Sequence, residues 1–143
     1  MKNYIVRNFI ESDYQDVIDL WKQTDLGKPE RGDNLETILK TIKFGGFLLV
    51  MYDVETSVLI GTSWLTNDGR RLYLHHFGID PAYQGKGYSK PLVEESLKIA
   101  KQKKMQIKLE VHRNNKNAIG LYKKYGFGYL GDYDVYIIRE INA

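Results

Sequence analysis

Ile79-Asp80-Pro81-Ala82-Tyr83-Gln84-Gly85-Lys86-Gly87-Tyr88-Ser89 leaves an apolar run, turns through two glycines and enters a helical pattern. Glycine permits backbone conformations that let successive N–H groups point into one concavity. The helix behind the turn adds free N–H donors and partial positive charge at its N-terminus. Together they make a cradle for a pyrophosphate. The glycine spacing is not G-x-G-x-x-G and no acidic residue follows at ribose distance, which argues against a dinucleotide fold of the Rossmann kind. It is not G-x-x-x-x-G-K-[S/T] either, which argues against a nucleoside triphosphatase loop. Two glycines in a loop, taken alone, are equally consistent with a plain strand-to-helix turn.

Upstream of the turn, three strands are expected at Phe47–Tyr52, Val58–Thr66 and Leu72–Ile79, with hairpin turns at Asp53–Ser57 and Asn67-Asp68-Gly69. Before them come a short strand, Tyr4–Phe9, and two helices. The first is opened by Ser12 with Gln15 at capping-box spacing, and the second by Asp33 with Glu36. Tyr14, Val17, Ile18 and Trp21 form one helical stripe, and Leu35, Ile38, Leu39 and Ile42 form another. Downstream, a helix runs to about Lys104 with Pro91 in its first turn, where a missing N–H costs nothing. A strand, Gln106–Val111, and a helix from about Asn115 to Tyr125 follow. The alternation of Tyr129–Ile141 predicts one or two further strands, which would be free to pair between chains. The order β-α-α-β-β-β-α-β-α-β(-β) predicts a mixed, mostly antiparallel α/β sheet in which a β-α-β step brings in one parallel neighbour.

The chain has 143 residues and reads as a single domain over 1–143, with no linker or repeat. It contains no Cys, which removes disulfides, thiolate metal sites and a cysteine nucleophile. Its three His residues and nearby carboxylates lack zinc-type spacing, so no metal is expected. The net charge of +3 is mild. Lys98, Lys101, Lys103, Lys104 and Lys108 read as a solvated helix end, so nucleic acid is not an expected partner. No apolar run reaches the roughly 20 residues that span a bilayer, and Met1–Arg7 lacks the apolar core of a signal peptide. A cytoplasmic protein with no membrane partner is the expectation.

Gln84-x-x-Gly87-x-Ser89 resembles the [Q/R]-x-x-G-x-[G/A] acyl-CoA motif of the GNAT superfamily of N-acetyltransferases, with Ser89 in place of the family's Gly or Ala. Leu109-Glu110-Val111, Asn115-x-x-Ala118 and Leu121-Tyr122-x-x-x-Gly126-Phe127 resemble that family's second signature, so the likeness covers nearly the whole chain. It implies a GNAT-like sheet with splayed central strands flanked by about four helices, and acetyl-CoA as cosubstrate. It implies that the Gln84–Ser89 loop (Gln84, Gly85, Lys86, Gly87, Tyr88 and Ser89) holds the pyrophosphate. The backbone around Phe77 and Ile79 would pair with the pantetheine arm like another strand, Gly78 would permit a bulge there, and Asn115 would bond the same arm. For Asn115 a helix N-cap is the plain alternative, and the two roles are compatible.

The implied reaction is acetyl transfer from acetyl-CoA directly to a primary amine of a small molecule, amino acid, peptide or protein. No protein nucleophile is needed. By resemblance, Tyr122 points at the thioester sulfur and serves as acid for the departing thiolate. Two residues are candidates for the base. His75 lies where some members carry a His or Glu facing the acceptor, and its ordinary pKa suits neutral pH. Glu110 matches a carboxylate that the ribosomal-protein-acetylating branch uses through water. Of the adjacent His75 and His76, strand alternation expects one to face the groove and the other to pack under a helix. Asp25, Glu30 and Asp33 either attract a cationic amine or are a solvated loop. The alternative from another class is a non-catalytic acyl-CoA-binding regulatory module on the same fold, as monomer or homodimer.

Overall fold

The computed structural model describes residues 3–141; Met1, Lys2, Asn142 and Ala143 lie outside the described residues. It divides into two compact units, Met1–Glu110 and Val111–Ala143.

The first unit is built on a five-stranded sheet in the order β1-β2-β3-β4-β5: β1 (Tyr4–Asn8), β2 (Phe47–Asp53), β3 (Leu59–Asn67), β4 (Arg71–Ile79) and β5 (Gln106–Leu109). The first three pairings are antiparallel, and β4 with β5 is parallel. The turns expected from polar residues are made by their side chains. Asp53 Oδ1 accepts from the backbone N–H of Glu55 and Thr56, and Asp68 Oδ1 accepts from those of Arg70 and Arg71. These local bonds close the meander that fixes β3 between β2 and β4.

Strand alternation sends side chains to opposite faces. Leu48 and Val50 of β2 join Phe9, Val17, Trp21, Ile38 and Trp64 beneath helices α1 (Tyr14–Gln23) and α2 (Leu35–Lys43). Leu49 and Met51 face the other way, onto Ile60, Tyr88 and Leu92 beneath α3 (Ser89–Lys103). Trp21 and Trp64 stack at 5.2 Å, and each indole N–H is satisfied, by Thr62 Oγ1 and Thr41 Oγ1 respectively. Beneath α3, Ser63 and Ser96 share a buried hydroxyl contact of 2.7 Å.

Two helix starts differ from the capping reading. A short 3-10 turn, Glu11–Asp13, precedes α1, and Asp13 Oδ2, not Ser12, accepts the Ile10 N–H. Asp13 also takes a bidentate contact from Arg7, at 2.8 Å for each bond, and charged partners of this kind outcompete a hydroxyl. At α2 the cap is Asn34, which accepts from Thr37 N–H, and Asp33 is released for another contact.

The second unit contains α4 (Lys116–Lys124). Asn115 caps it by accepting from Ala118 N–H at 3.2 Å. The strands expected over Tyr129–Ile141 are absent among the described residues, and Tyr129, Tyr133, Val135, Tyr136, Ile137 and Ile138 are exposed. A strand is held by its neighbour's hydrogen bonds, and alternation supplies no neighbour.

Candidate functional site

The loop after β4 is braced from below before it turns. Asp80 Oδ1 accepts from Ala82 N–H, shaping the turn Pro81–Tyr83. Tyr83 Oη donates to Asp53 Oδ2 at 2.9 Å, and Asp53 is fully buried at the end of β2. Burial pushes the Asp53 carboxyl up, but hydrogen bonds from Tyr83 and the Glu55 and Thr56 N–H groups outweigh it and hold it below the usual range. The Tyr83 ring meets the Tyr88 ring edge-on at 5.4 Å. Gln84 Nε2 donates to the Ile79 carbonyl at 2.8 Å and the exposed Lys86 Nζ to the Ala82 carbonyl at 3.1 Å.

Gly85 and Gly87 have φ of 73° and 90°, the left-handed region that side chains disfavour. A Cβ on Gly85 would meet nothing within 4 Å, so its requirement is conformational and the space outside it is open. Ser89 opens α3, and Pro91 lies in the first turn. Alternating left-handed glycines leading into a helix start is the backbone shape that binds anions. The residues fit the pyrophosphate of an acyl-CoA.

β4 carries the second feature. Its register against β3 pairs Trp64 with His75 and Thr62 with Gly78, so His76 and Phe77 together oppose Ser63. This bulge lies ahead of Gly78, and its strained residue is His76, with φ of 44°. A non-glycine residue held there costs of order 1–3 kcal/mol. Gly78 has another reason to lack a side chain, because Leu26 from the α1–α2 loop occupies the space its Cβ would need. Pairing of β4 with β5 ends at Leu74 and Leu109, so the strands part where the bulge begins.

The bulge overturns the expected alternation of the two histidines. An extra residue leaves neighbouring side chains on one face, and both rings lie on the α1/α2 side. His76 packs 4.5 Å from the Trp21 ring and 5.1 Å from Trp64, with Nε2 3.0 Å from Asp33 Oδ1. That approach lacks the alignment of a hydrogen bond. His75 stacks on Tyr73 at 5.8 Å, and its Nε2 is 2.8 Å from Thr66 Oγ1. Although its outer edge is open to solvent, desolvation of the packed side and the nearby His76 push its pKa down, against smaller opposing effects of Glu110 and Asp33. Desolvation also lowers His76, against the pull of Asp33. Both imidazoles are therefore neutral at pH 7. Glu110 is exposed, one residue past the end of β5, with its charge felt at His75.

Of the loop carboxylates, Asp25 and Glu30 are exposed and Asp33 is turned inward to His76. The sequence reading missed the Asp53–Tyr83 brace, the strained His76 and the Asp33 contact. Asp53 and Asp33 carry only the signal of turn residues, and nothing in their spacing marks a buried partner.

In the second unit, Tyr122 is buried in α4, and its ring meets Phe127 edge-on at 5.6 Å. Burial pushes its pKa up to about 12. Among the described residues no three His, Asp or Glu side chains cluster as metal ligands, and no helix is long and apolar enough to cross a membrane.

Residues 11–127 match the family of proteins described as acetyltransferase (GNAT) family. Among solved structures, an acetyltransferase from Trypanosoma brucei aligns with a TM-score of 0.76 at 21% identity, covering 95% of this chain and 100% of that one. AAC(6')-Iy, held with the bisubstrate analogue CoA-S-monomethyl-acetylneamine, aligns with a TM-score of 0.76 at 14% identity, covering 96% and 99%. Glucosamine-6-phosphate N-acetyltransferase from Arabidopsis thaliana aligns with a TM-score of 0.74 at 17% identity, covering 95% and 99%. At these identities the likeness is one of fold.

Proposed function

The chain belongs to the acetyltransferase (GNAT) family, and from that premise we propose that it transfers an acetyl group from acetyl-CoA directly to a primary amine. The observation that carries the reading is the loop of two left-handed glycines feeding α3, directly after a bulged strand that has parted from its parallel neighbour. The backbone N–H groups of Gly85, Gly87, Tyr88 and Ser89 hold the pyrophosphate. The Gln84 amide, bonded to the Ile79 carbonyl, sets the loop's angle to β4. The open side of β4 from Phe77 to Ile79 lies along the pantetheine arm, with Asn115 as a further partner.

Bound acetyl-CoA supplies the activated acyl carbon. The amine nitrogen bonds to that carbon, the carbon–sulfur bond breaks, one proton leaves the amine and one is needed at sulfur. His75 is the first candidate to take the amine proton. Its ring is neutral at pH 7 and on the α1/α2 face, where the acceptor would enter. Glu110 shares that proton path, through water. Tyr122 serves the sulfur. An ordinary thiol has a pKa of about 8.5, so full transfer from a phenol near 12 would run uphill by roughly 5 kcal/mol. Tyr122 therefore acts as a hydrogen-bond donor to the leaving thiolate, which draws its proton finally from solvent.

AAC(6')-Iy is held with an acetylneamine analogue and the Arabidopsis enzyme is named for glucosamine-6-phosphate, two different amines, so the acceptor is proposed here only as a primary amine. The test is a panel of small amines, amino acids and peptides incubated with acetyl-CoA, read as free CoA and as acetylated product. CoA release dependent on an amine supports the reading, and silence across amines of every class, with intact acetyl-CoA binding, favours a non-catalytic module.

A further inference from the structure

From the β3–β4 turn to His75 the register is regular: Leu72 pairs with Asn67, Tyr73 with Thr66, Leu74 with Leu65 and His75 with Trp64. Residues two apart on a strand share a face, and so do residues paired across an antiparallel ladder. Thr66, Trp64, Tyr73 and His75 therefore lie together on the α1/α2 face. The His75 ring stacks on Tyr73 at 5.8 Å with 18° between the planes, and meets the Trp64 ring edge-on at 6.5 Å. Its Nε2 reaches along the diagonal of the ladder to Thr66 Oγ1, at 2.8 Å. The stack sets the plane of the ring, and the hydroxyl sets which nitrogen faces β3. Nδ1 has no hydrogen-bond partner among the described residues, on a side chain that is exposed.

A hydroxyl can donate or accept across such a contact, and a neutral imidazole has one nitrogen of each kind. If Thr66 donated to Nε2, the ring proton would sit on Nδ1 and the one ring lone pair would already be engaged. Taking up a proton would then break the contact. If Thr66 accepts from Nε2–H, the lone pair is on the partnerless Nδ1, and the contact survives in both the neutral and the protonated ring. Only the second arrangement lets a ring fixed in this way receive the amine proton. We propose that Thr66 is a positioning residue for His75: its hydroxyl accepts from Nε2–H and so keeps the lone pair on Nδ1, open to the amine. The proton that leaves the amine becomes Nδ1–H, and the imidazolium stays bonded to Thr66. The inference rests on the reading of His75 as the proton acceptor, and it adds the nitrogen that acts and the residue that selects it. The charged and titratable groups around the ring are His76, Tyr73, Asp33 and Glu110, with Lys108 Nζ over the Tyr73 ring at 5.5 Å. None of them hydrogen-bonds Nδ1.

The experiment uses the full chain labelled with ¹⁵N-histidine, which carries three imidazoles, His75, His76 and His112. His75→Ala identifies the His75 signals by their loss, and ring-nitrogen shifts report which nitrogen carries the proton. At about pH 8, where an ordinary histidine of pKa about 6.5 is neutral, wild-type His75 should show a protonated Nε2 and a bare Nδ1. Thr66→Val keeps the branched shape that suits a strand and puts a methyl where the hydroxyl was. Nε2–H then loses its acceptor, and the Nδ1 signal should move toward the protonated position. A hydroxyl holds an imidazolium better than a neutral ring, so its loss lowers the His75 pKa. The acidic limb of kcat/KM, read with the best acceptor in the amine panel, should therefore move down by roughly 0.5 pH unit in Thr66→Val. Thr66→Ser keeps the hydroxyl and should restore both the tautomer and the limb. A protonated Nδ1 in the wild type, or an unchanged tautomer in Thr66→Val, overturns the proposal. So does a serine variant that follows valine, or a limb that moves with His75→Ala but not with Thr66→Val. A limb that ignores His75→Ala instead removes His75 as the base. The tautomer readout needs no turnover, so failure of the transferase reading shows separately, as wild-type protein that releases no CoA with any amine.

Discussion

Thr62→Val exchanges a hydroxyl for a methyl at a fully buried position and leaves the side-chain shape intact. In the native chain Thr62 Oγ1 accepts from Trp21 Nε1 at 2.9 Å and donates to the His76 carbonyl at 2.8 Å. Valine can do neither, so an indole N–H and a bulge carbonyl both lose their partner away from water. Each such group costs about 1–3 kcal/mol, which puts the pair at about 3 kcal/mol. With a melting entropy of about 2.1 cal/mol/K per residue, 143 residues give roughly 0.3 kcal/mol/K. The expected fall in Tm is therefore about 10 °C. Thr62→Ser, which keeps the hydroxyl and loses only a methyl, should cost about 1 kcal/mol. Thermal and urea unfolding, followed by near-ultraviolet circular dichroism of the Trp21–Trp64 stack, reads both. A valine variant that melts within about 2 °C of wild type, or a serine variant that is the worse of the two, would refute the hydrogen-bond reasoning.

Both paired histidines have folded pKa values below their ordinary value of about 6.5, so the unfolded chain binds protons there that the native chain refuses. Stability should rise with pH through the window just below 6.5 and level off above it, with Tm lower at about pH 5.5 than at about pH 7.5; a falling slope would contradict the assignment. Tyr122→Phe should lower kcat by roughly 10²–10³, the loss of one hydrogen-bond donor to developing negative charge, with acetyl-CoA affinity little changed, and a wild-type rate would remove Tyr122 from the chemistry. His75→Ala should flatten the acidic limb of the rate profile more than Glu110→Gln does. If neither variant changes the limb, the amine is bound already neutral.

Local chemistry was readable in the sequence where it is carried by residues that act within a few positions of themselves. Gly85 and Gly87, Asp53 and Asp68 in their turns, Asn115 before α4 and the stripe through Val17, Ile18 and Trp21 all belong to this class. The order of strands followed from the same turns. The bulge did not, because alternation counts residues evenly and cannot place an extra one between Ser63 and the His76-Phe77 pair. That single residue brought His76 onto the face that His75 already occupies, beside Asp33, which had the spacing of a cap while Asn34 did the capping. The Asp53–Tyr83 bond joins positions thirty residues apart, and only the folded chain reveals it. At the other end, Tyr129–Ile141 has the pattern of a strand, but the ladder depends on a neighbour that no pattern within the segment supplies.

Calorimetric titration of acetyl-CoA into the wild-type chain and into Gly87→Glu bears most directly on the cofactor loop. Gly87 has φ of 90°, and glutamate there adds both backbone strain and a negative charge at the proposed pyrophosphate site. The account predicts that the wild-type chain binds, and that Kd in the variant rises at least roughly a hundredfold, about 2.7 kcal/mol, while the far-ultraviolet circular dichroism is unchanged. Equal affinity in the two chains, or no binding by the wild type, would contradict it.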